Sequence, residues 1–501
     1  MASYRQTGSA GYLFSIVLVA VIGGLLFGYD TAVVNGAGPS FKAFFQDGGA
    51  NTWYTELLHG NVMASALLGC VIGALLSGPL ASHLGRKRSL FVAGILFFLS
   101  ALGSYYPEFI FFKEGVPTVG LLWAFIGYRV LGGIGVGLAS AICPMYIAEI
   151  APASKRGSLV SWNQFAIIFG QLVVYFVSAL IMRNHTDVIF NEVTKIIANA
   201  TDAQWAISSG WRYMFVSECV PAALFALLIL LVPETPRFLV LSGKDEKALL
   251  VLSNINGETK AREVLAEIKA TVSEKKEHLL TYGFIVIFIG CMLSVFQQAI
   301  GINAVLYYST DIFRSIGMEN PMQTTVIMGV VNIIFTLLAI FSVEKLGRKP
   351  LLITGSILMA IGAFCVAAGQ SFLIQCASSE NLPHYVTVAG IMVYSAAFMF
   401  SWGPICWVYI SELFPNTIRS QATAIAVAFQ WIFNYIVSST FPAMFGMSFG
   451  SMGTNFGHFF SYALYGLICI IAAIFVWRLV PETKGKTLED MTTLWRERMK
   501  K

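Results

Sequence analysis

Phe296-Gln297-Gln298-Ala299-Ile300-Gly301-Ile302-Asn303-Ala304-Val305-Leu306-Tyr307-Tyr308 lies inside a run, beginning near Leu280, that is apolar enough to cross a membrane, yet it carries two glutamines and an asparagine. Amides buried in hydrocarbon without partners cost several kcal/mol each, so a spanning helix that carries them turns them toward the protein interior or a watery cavity. In a regular helix Gln297, Gln298 and Gly301 crowd one side. Gly301 weakens the helix where the amides gather, and local unwinding beside a cavity is how transporter helices expose backbone groups to solute. Carboxamides donate and accept at once, as a hydroxyl-rich solute requires, and nearby Tyr and Trp rings offer flat apolar faces to the C–H side of a sugar. The stretch reads as the centre of a binding site for a neutral polyol. Amides that merely bond adjacent helices are the alternative it leaves open.

The rest of the chain supplies the setting. Its 501 residues are 56% hydrophobic and 12% charged, with a mean hydropathy of +0.72, which belongs in a bilayer. The 45 glycines suit helices packed closely in lipid, and no alternating strand pattern competes, so the fold class is an all-α membrane protein and not a barrel. The net charge of +5 comes from cations clustered in short loops, which is a topology signal and not a basic face, so no nucleic-acid partner is expected. Cys70, Cys143, Cys219, Cys291, Cys365, Cys376, Cys406 and Cys469 show no metal spacing and read as small hydrophobes. The first apolar run, about Tyr12 to Asn35, is longer than a signal core and is expected to stay.

Twelve runs are long enough to span: roughly 12–36, 59–81, 89–106, 119–143, 158–182, 211–232, 280–308, 323–343, 351–373, 385–410, 420–443 and 459–480. Loops after even-numbered spans hold Arg86, Lys87, Arg88, Lys155, Arg156, Lys345, Arg348, Lys349 and Arg419, which predicts both termini in the cytoplasm. The chain also repeats itself. Leu84-Gly85-Arg86-Lys87 recurs as Leu346-Gly347-Arg348-Lys349, Glu149 with Arg156 as Glu412 with Arg419, and Pro233-Glu234-Thr235 as Pro481-Glu482-Thr483. Three signatures in one order at nearly one spacing predict two six-helix halves of the same orientation, 1–232 and 280–483, joined by cytoplasmic surface helices over 233–279 and followed by a tail over 484–501. The stretch 183–210 on the opposite side contains Asn184-His185-Thr186 and Asn199-Ala200-Thr201, both glycan sequons in form.

Together with Gly24-Leu25-Leu26-Phe27-Gly28-Tyr29-Asp30-Thr31, Arg129-Val130-Leu131-Gly132-Gly133 and Pro233-Glu234-Thr235-Pro236-Arg237, these motifs resemble the sugar porter family of the major facilitator superfamily over about residues 12–490. The likeness is strongest to bacterial D-xylose–proton symporters, through Ser161 to Tyr175 and Ser401-Trp402-Gly403-Pro404. The resemblance implies a sugar cavity lined by Gln164, Gln171, Gln297, Gln298, Asn303, Tyr307, Asn332, Gly403, Trp407, Gln430 and Trp431. For Gln164 and Gln171 interhelical bonding, and for Trp407 and Trp431 bundle packing, remain open.

Asp30 and Arg129 each lie deep in an apolar span, where a lone charge costs about 2.5–3.5 kcal/mol, so the two should meet each other or water. The functional reading makes Asp30 the proton site, held ionised by Arg129 until the conformation changes; a permanent structural ion pair is the other. The resemblance favours the first, because an Asp at this position is like the proton-coupled members. Glu218 is a second membrane carboxylate, either a modulator of coupling or a satisfied buried acid. Arg86, Glu149, Arg156, Arg348, Glu412 and Arg419 fall in symmetric sets at helix ends. The resemblance implies a cytoplasmic gate of ion pairs, and solvated flanking charge is the alternative.

The reading is a proton-coupled monosaccharide symporter, with xylose first among substrates, embedded in lipid, working as a monomer without cofactor or metal. A facilitative uniporter of the same fold and a non-transporting sugar receptor are its rivals. A membrane enzyme is disfavoured, because no loop carries a nucleophile-base, metal or phosphate-cradling arrangement.

Overall fold

The computed structural model describes residues 7–47, 50–109, 111–152, 156–183, 205–272, 278–315, 318, 320–371, 382–415, 418–453, 455–484 and 494–497, without the side chains of 156–158, 161, 271, 272, 344, 411, 420 and 451. Both sequons and Cys376 lie outside the described residues. Among the described residues, twelve helices are long and apolar enough to cross a membrane: Ala10–Gln46, Glu56–His83, Arg86–Tyr105, Val119–Ile150, Trp162–Ile181, Ala206–Ile229, Phe284–Ser315, Pro321–Val343, Arg348–Gly369, Leu382–Ile410, Gln421–Phe445 and Asn455–Leu479. They match the expected runs in number and order. The first extends ten residues beyond its apolar run, because Phe41, Phe44 and Phe45 continue it into an aromatic cluster with Tyr54, Phe125 and Trp211. Hydropathy along the chain does not register such tertiary packing.

Close helix approach explains part of the glycine content. A Cβ on Gly28 would lie 1.9 Å from the Ile167 carbonyl oxygen, and one on Gly133 would lie 1.8 Å from that of Ala66. The first span thus presses backbone to backbone on the fifth, and the second on the fourth.

The sixth span is interrupted at Ser217 and Glu218, and the seventh and tenth are likewise broken at mid-depth. The seventh divides into Phe284–Ala299 and Ile302–Ser315 around Gly301, whose φ of +88° suits glycine. The tenth divides into Leu382–Phe400 and Trp402–Leu413 at Ser401. Gln297 ties the breaks of the seventh and tenth spans together, its Nε2 donating to the carbonyls of Trp402 at 3.0 Å and Gly403 at 3.3 Å.

The repeated motifs have one structural cause. Glu234 accepts the backbone N–H groups of Arg86 and Lys87, both at 3.1 Å, and of its own neighbour Thr235 at 2.8 Å. Glu482 does the same for Arg348 at 3.1 Å, Lys349 at 3.0 Å, Thr483 at 3.0 Å and Lys484 at 2.9 Å. Each Pro-Glu-Thr motif therefore supplies the carboxylate that caps the helix opened by its Gly-Arg-Lys motif, with Gly85 at φ +89° and Gly347 at φ +90° making the turn. Burial raises the Glu234 carboxyl above the usual carboxylate range, and the three N–H groups oppose that rise. Glu482→Ala is expected to cost about 1–2 kcal/mol, the upper range for a lost cap, read as a lower thermal midpoint in detergent.

The linker forms helices Pro236–Leu241, Asp245–Asn256 and Glu258–Val272, the last two sharing a small apolar core of Leu249, Leu252 and Ala261. The backbone N–H of Ser9 donates to Asn254 O at 3.0 Å, which docks the start of the first span on this linker. Cys70, Cys143, Cys291, Cys406 and Cys469 are buried, and Cys219 and Cys365 are half-buried.

Candidate functional site

The broken seventh and tenth spans face the fifth and eleventh across a cavity with about 540 Å³ of empty space, counting its open part. That lies within the roughly 300–1,000 Å³ typical of small-ligand sites. Gln164, Gln171, Gln297, Gln298, Asn303, Tyr307, Gly403, Trp407, Gln430 and Trp431 all line it. Seven residues apart, Gln164 and Gln171 share one face of the fifth span, and the break at Gly301 lets Gln298 accept a hydrogen bond from Asn303. Among the described residues, Gln171 Oε1, Gln297 Oε1, Gln430 Oε1 and Trp431 Nε1 are buried with no partner in the protein. Buried polar groups are ordinarily paired, so three acceptors and one donor converging on a cavity amount to a site for a ligand that both donates and accepts.

Asn332 does not line this cavity. Only 1% exposed, it accepts a hydrogen bond from Ser395 Oγ at 2.6 Å, which spends its amide oxygen on joining the eighth and tenth spans. Asn434 and Thr31, by contrast, line the cavity without having been anticipated. Asn434 follows Gln430 by one helical turn, a spacing that would have found it. Phe27, Ile167, Ile168, Leu306, Phe398 and Met399 supply apolar walls that nothing in the sequence separates from ordinary bundle packing.

Between Phe27 and Thr31, which touch the cavity, Asp30 turns into the first half. Its Oδ1 accepts from Arg129 Nη1 at 2.5 Å and its carbonyl from Nη2 at 3.1 Å, with both side chains at most 2% exposed. The guanidinium also lies 5.0 Å from the centre of the Phe215 ring. Glu218, 1% exposed, faces both partners, and among the described residues neither its oxygens nor Asp30 Oδ2 accepts a hydrogen bond from a protein donor. Two carboxyl groups and one guanidinium occupy one buried cluster, so full ionisation leaves a net charge of −1 that one proton neutralises.

The model of the family described as "Sugar (and other) transporter" matches residues 16–495. The chain belongs to this sugar transporter family. It is 47% identical to the D-xylose-proton symporter of Escherichia coli K12 over 98% of each chain, and 38% identical to a glucose transport protein of Synechocystis over 97% of this chain and 98% of that one. It is 35% identical to the glucose facilitated diffusion protein of Zymomonas mobilis over 97% and 98%. Among solved structures, the xylose transporter XylE from Escherichia coli in a partially occluded inward-open conformation matches with TM-score 0.81 at 45% identity, covering 95% of this chain and all of that one.

In this member of the sugar transporter family the two halves meet tightly at the end of the bundle away from the chain termini. Asn35 Nδ2 donates to Ser309 Oγ at 2.6 Å, and its Oδ1 accepts from the Thr310 backbone N–H at 3.0 Å, just past Tyr308, where the chain leaves helical geometry. Tyr175 donates to Leu306 O and Tyr435 to Asn61 Oδ1, both at 2.8 Å. Asn35→Ala would leave the Thr310 N–H without this acceptor. Amide exchange at Thr310 is expected to quicken about tenfold or more, in line with about 1–3 kcal/mol for an orphaned buried donor. An unchanged rate would remove Asn35 from the seam.

At the opposite, terminal face Arg86 pairs with Glu149 at 2.7 Å and Arg348 with Glu412 at 2.9 Å, each bond inside one half. Glu412 Oε2 also accepts from Thr483 Oγ1 at 2.7 Å, and Arg419 donates to Phe414 O at 3.3 Å. The Arg156 side chain lies outside the described residues. Glu108 and Arg212 form a buried pair at the far face, 2.5 Å apart, that sequence inspection did not single out.

Proposed function

We propose that this chain is a proton-coupled monosaccharide symporter that takes up D-xylose or a related pentose or hexose across a cell membrane, with both termini in the cytoplasm and the monomer as working unit. The observation that carries the reading is the convergence of unpaired buried amide oxygens and an indole N–H on one midplane cavity, one residue away from a charge cluster that is neutral only with a proton bound. The names of relatives at 47% and 35% identity, a D-xylose-proton symporter and an arabinose-proton symporter, favour pentose and proton together.

In this reading the halves 1–232 and 280–483 rock about the cavity. The tight far-face seam is the closed outer gate, and the Arg86–Glu149 and Arg348–Glu412 pairs, with Arg156 and Arg419, belong to the inner gate. Protonation of the Asp30–Glu218–Arg129 cluster releases the first span, and with it Phe27 and Thr31 at the cavity wall. The membrane potential then contributes about 2.3 kcal/mol per proton per 100 mV, enough to concentrate a neutral sugar tens of fold.

A second reading, a facilitative uniporter, is favoured by the glucose facilitated diffusion protein among the relatives. Uptake of a labelled sugar panel into proteoliposomes, with and without an imposed pH step, separates the two. Symport requires xylose accumulation driven by the step; equal uptake in both conditions leaves the uniporter.

A further inference from the structure

A second cavity opens on the lipid-facing side of the bundle, between the ninth and twelfth spans, with about 840 Å³ of empty space, counting its open part. Its lining is wholly apolar and includes Ile353, Ile357, Ile361, Phe364, Ile474 and Trp477. Ile361 is 52% and Trp477 60% exposed, so the groove faces hydrocarbon and not the protein interior. It ends where the Phe364 ring leans on Gly466, whose Cβ would come within 2.9 Å of that ring. From Ile353 to Phe364 the helix rises about 16 Å, half of the roughly 30 Å hydrocarbon core, so the groove has the length of one leaflet.

The foot of the groove is cationic. Lys349 lies one turn before Ile353 on the same helix face and spends one of its three donors on Trp477 O at 2.8 Å. The Arg478 guanidinium sits 5.1 Å from the Trp477 ring centre. Lys484 Nζ donates to the Lys345 backbone carbonyl at 2.8 Å, which brings one more ammonium group to this end. The nearby acid Glu482 is already engaged by four backbone N–H groups.

The internal repeat separates what the fold needs from what is added. Lys87 donates to Leu230 O at 2.7 Å, so the first half keeps the counterpart of Lys349. Aligned by their shared motifs, His83, Leu230 and Pro236 stand where the second half has Lys345, Arg478 and Lys484. Helix capping therefore does not require these three cations.

We propose that this groove binds one anionic phospholipid of the leaflet on the terminal face, with an acyl chain along the ninth and twelfth spans and the phosphate between Lys349 and Arg478. Basic pockets between spans at this face are suited to anionic headgroups, and each nearby cation is worth about a fivefold change in binding.

Native mass spectrometry of the full chain in detergent, titrated with dioleoyl-phosphatidylglycerol or dioleoyl-phosphatidylcholine, tests the site. One phosphatidylglycerol is expected to bind preferentially, and Arg478→Gln should weaken it about fivefold while leaving phosphatidylcholine unchanged. Ala473→Phe, which fills the groove, should remove the bound lipid; were that variant unable to fold, brominated acyl chains should quench a tryptophan signal that Trp477→Phe abolishes. Equal binding of the two lipids, or phosphatidylglycerol binding unmoved by the substitutions, overturns the proposal. It is equally overturned if Ala473→Phe turns a dimer into a monomer without changing lipid binding, which would make the face an interface between copies.

Discussion

Asp30→Asn is expected to collapse sugar accumulation from tens of fold to no gradient at all, while exchange of labelled for unlabelled sugar continues. The asparagine keeps an oxygen for Arg129 Nη1 and the backbone carbonyl for Nη2, so the packing of the first span against the fourth survives. What changes is the charge count. With Glu218 as its one remaining carboxyl group, the fully ionised cluster is neutral against Arg129, and on the mechanism proposed above the conformational change would no longer wait for a proton. Uphill uptake falls because the roughly 2.3 kcal/mol per 100 mV carried by the proton is no longer coupled to the sugar. The check is paired uptake and counterflow in proteoliposomes. Accumulation that survives in the variant would mean that Asp30 is not the proton carrier.

Gln171→Ala is expected to raise the sugar concentration for half-maximal counterflow by about ten- to a hundredfold. Its Oε1 is buried at the cavity without a protein partner, so its hydrogen bond is available to the solute, and losing such a bond leaves a sugar hydroxyl unpaired at a cost of about 1–3 kcal/mol. Asn332→Ala is the matched control: its amide oxygen already belongs to Ser395, so half-saturation should change less than about twofold even if the variant melts earlier. Equal effects from both substitutions would show that amide content, and not position on the cavity, sets affinity, and the site as drawn would fail.

The contrast between these two residues marks how far the sequence carries. Gln171 and Asn332 look alike along the chain, each an amide in an apolar span. Asn434, one turn after Gln430, was legible by spacing, and Phe27 or Ile168 was not, because apolar side chains on a cavity wall and in a helix seam share one composition. Glu234 and Glu482 stood in a recognisable repeat. Their task, capping a helix that starts 148 residues earlier for Glu234 and 134 for Glu482, emerged from backbone hydrogen bonds.

By itself the sequence determined the twelve spans, their division into like-oriented halves and the kinds of group available at mid-depth. A bilayer is a nearly uniform solvent, and each run is sorted into it by local composition alone. Only the tertiary structure decided which groups converge: Gln171 and Gln430 on the solute cavity, Asn332 on Ser395, Glu218 on Asp30, and Asn35 on a backbone N–H in the other half. Hydrogen-bond and charge pairing is settled between partners tens to hundreds of residues apart, and no local pattern encodes which of several buried amides will find its partner in the protein and which will be left for a ligand.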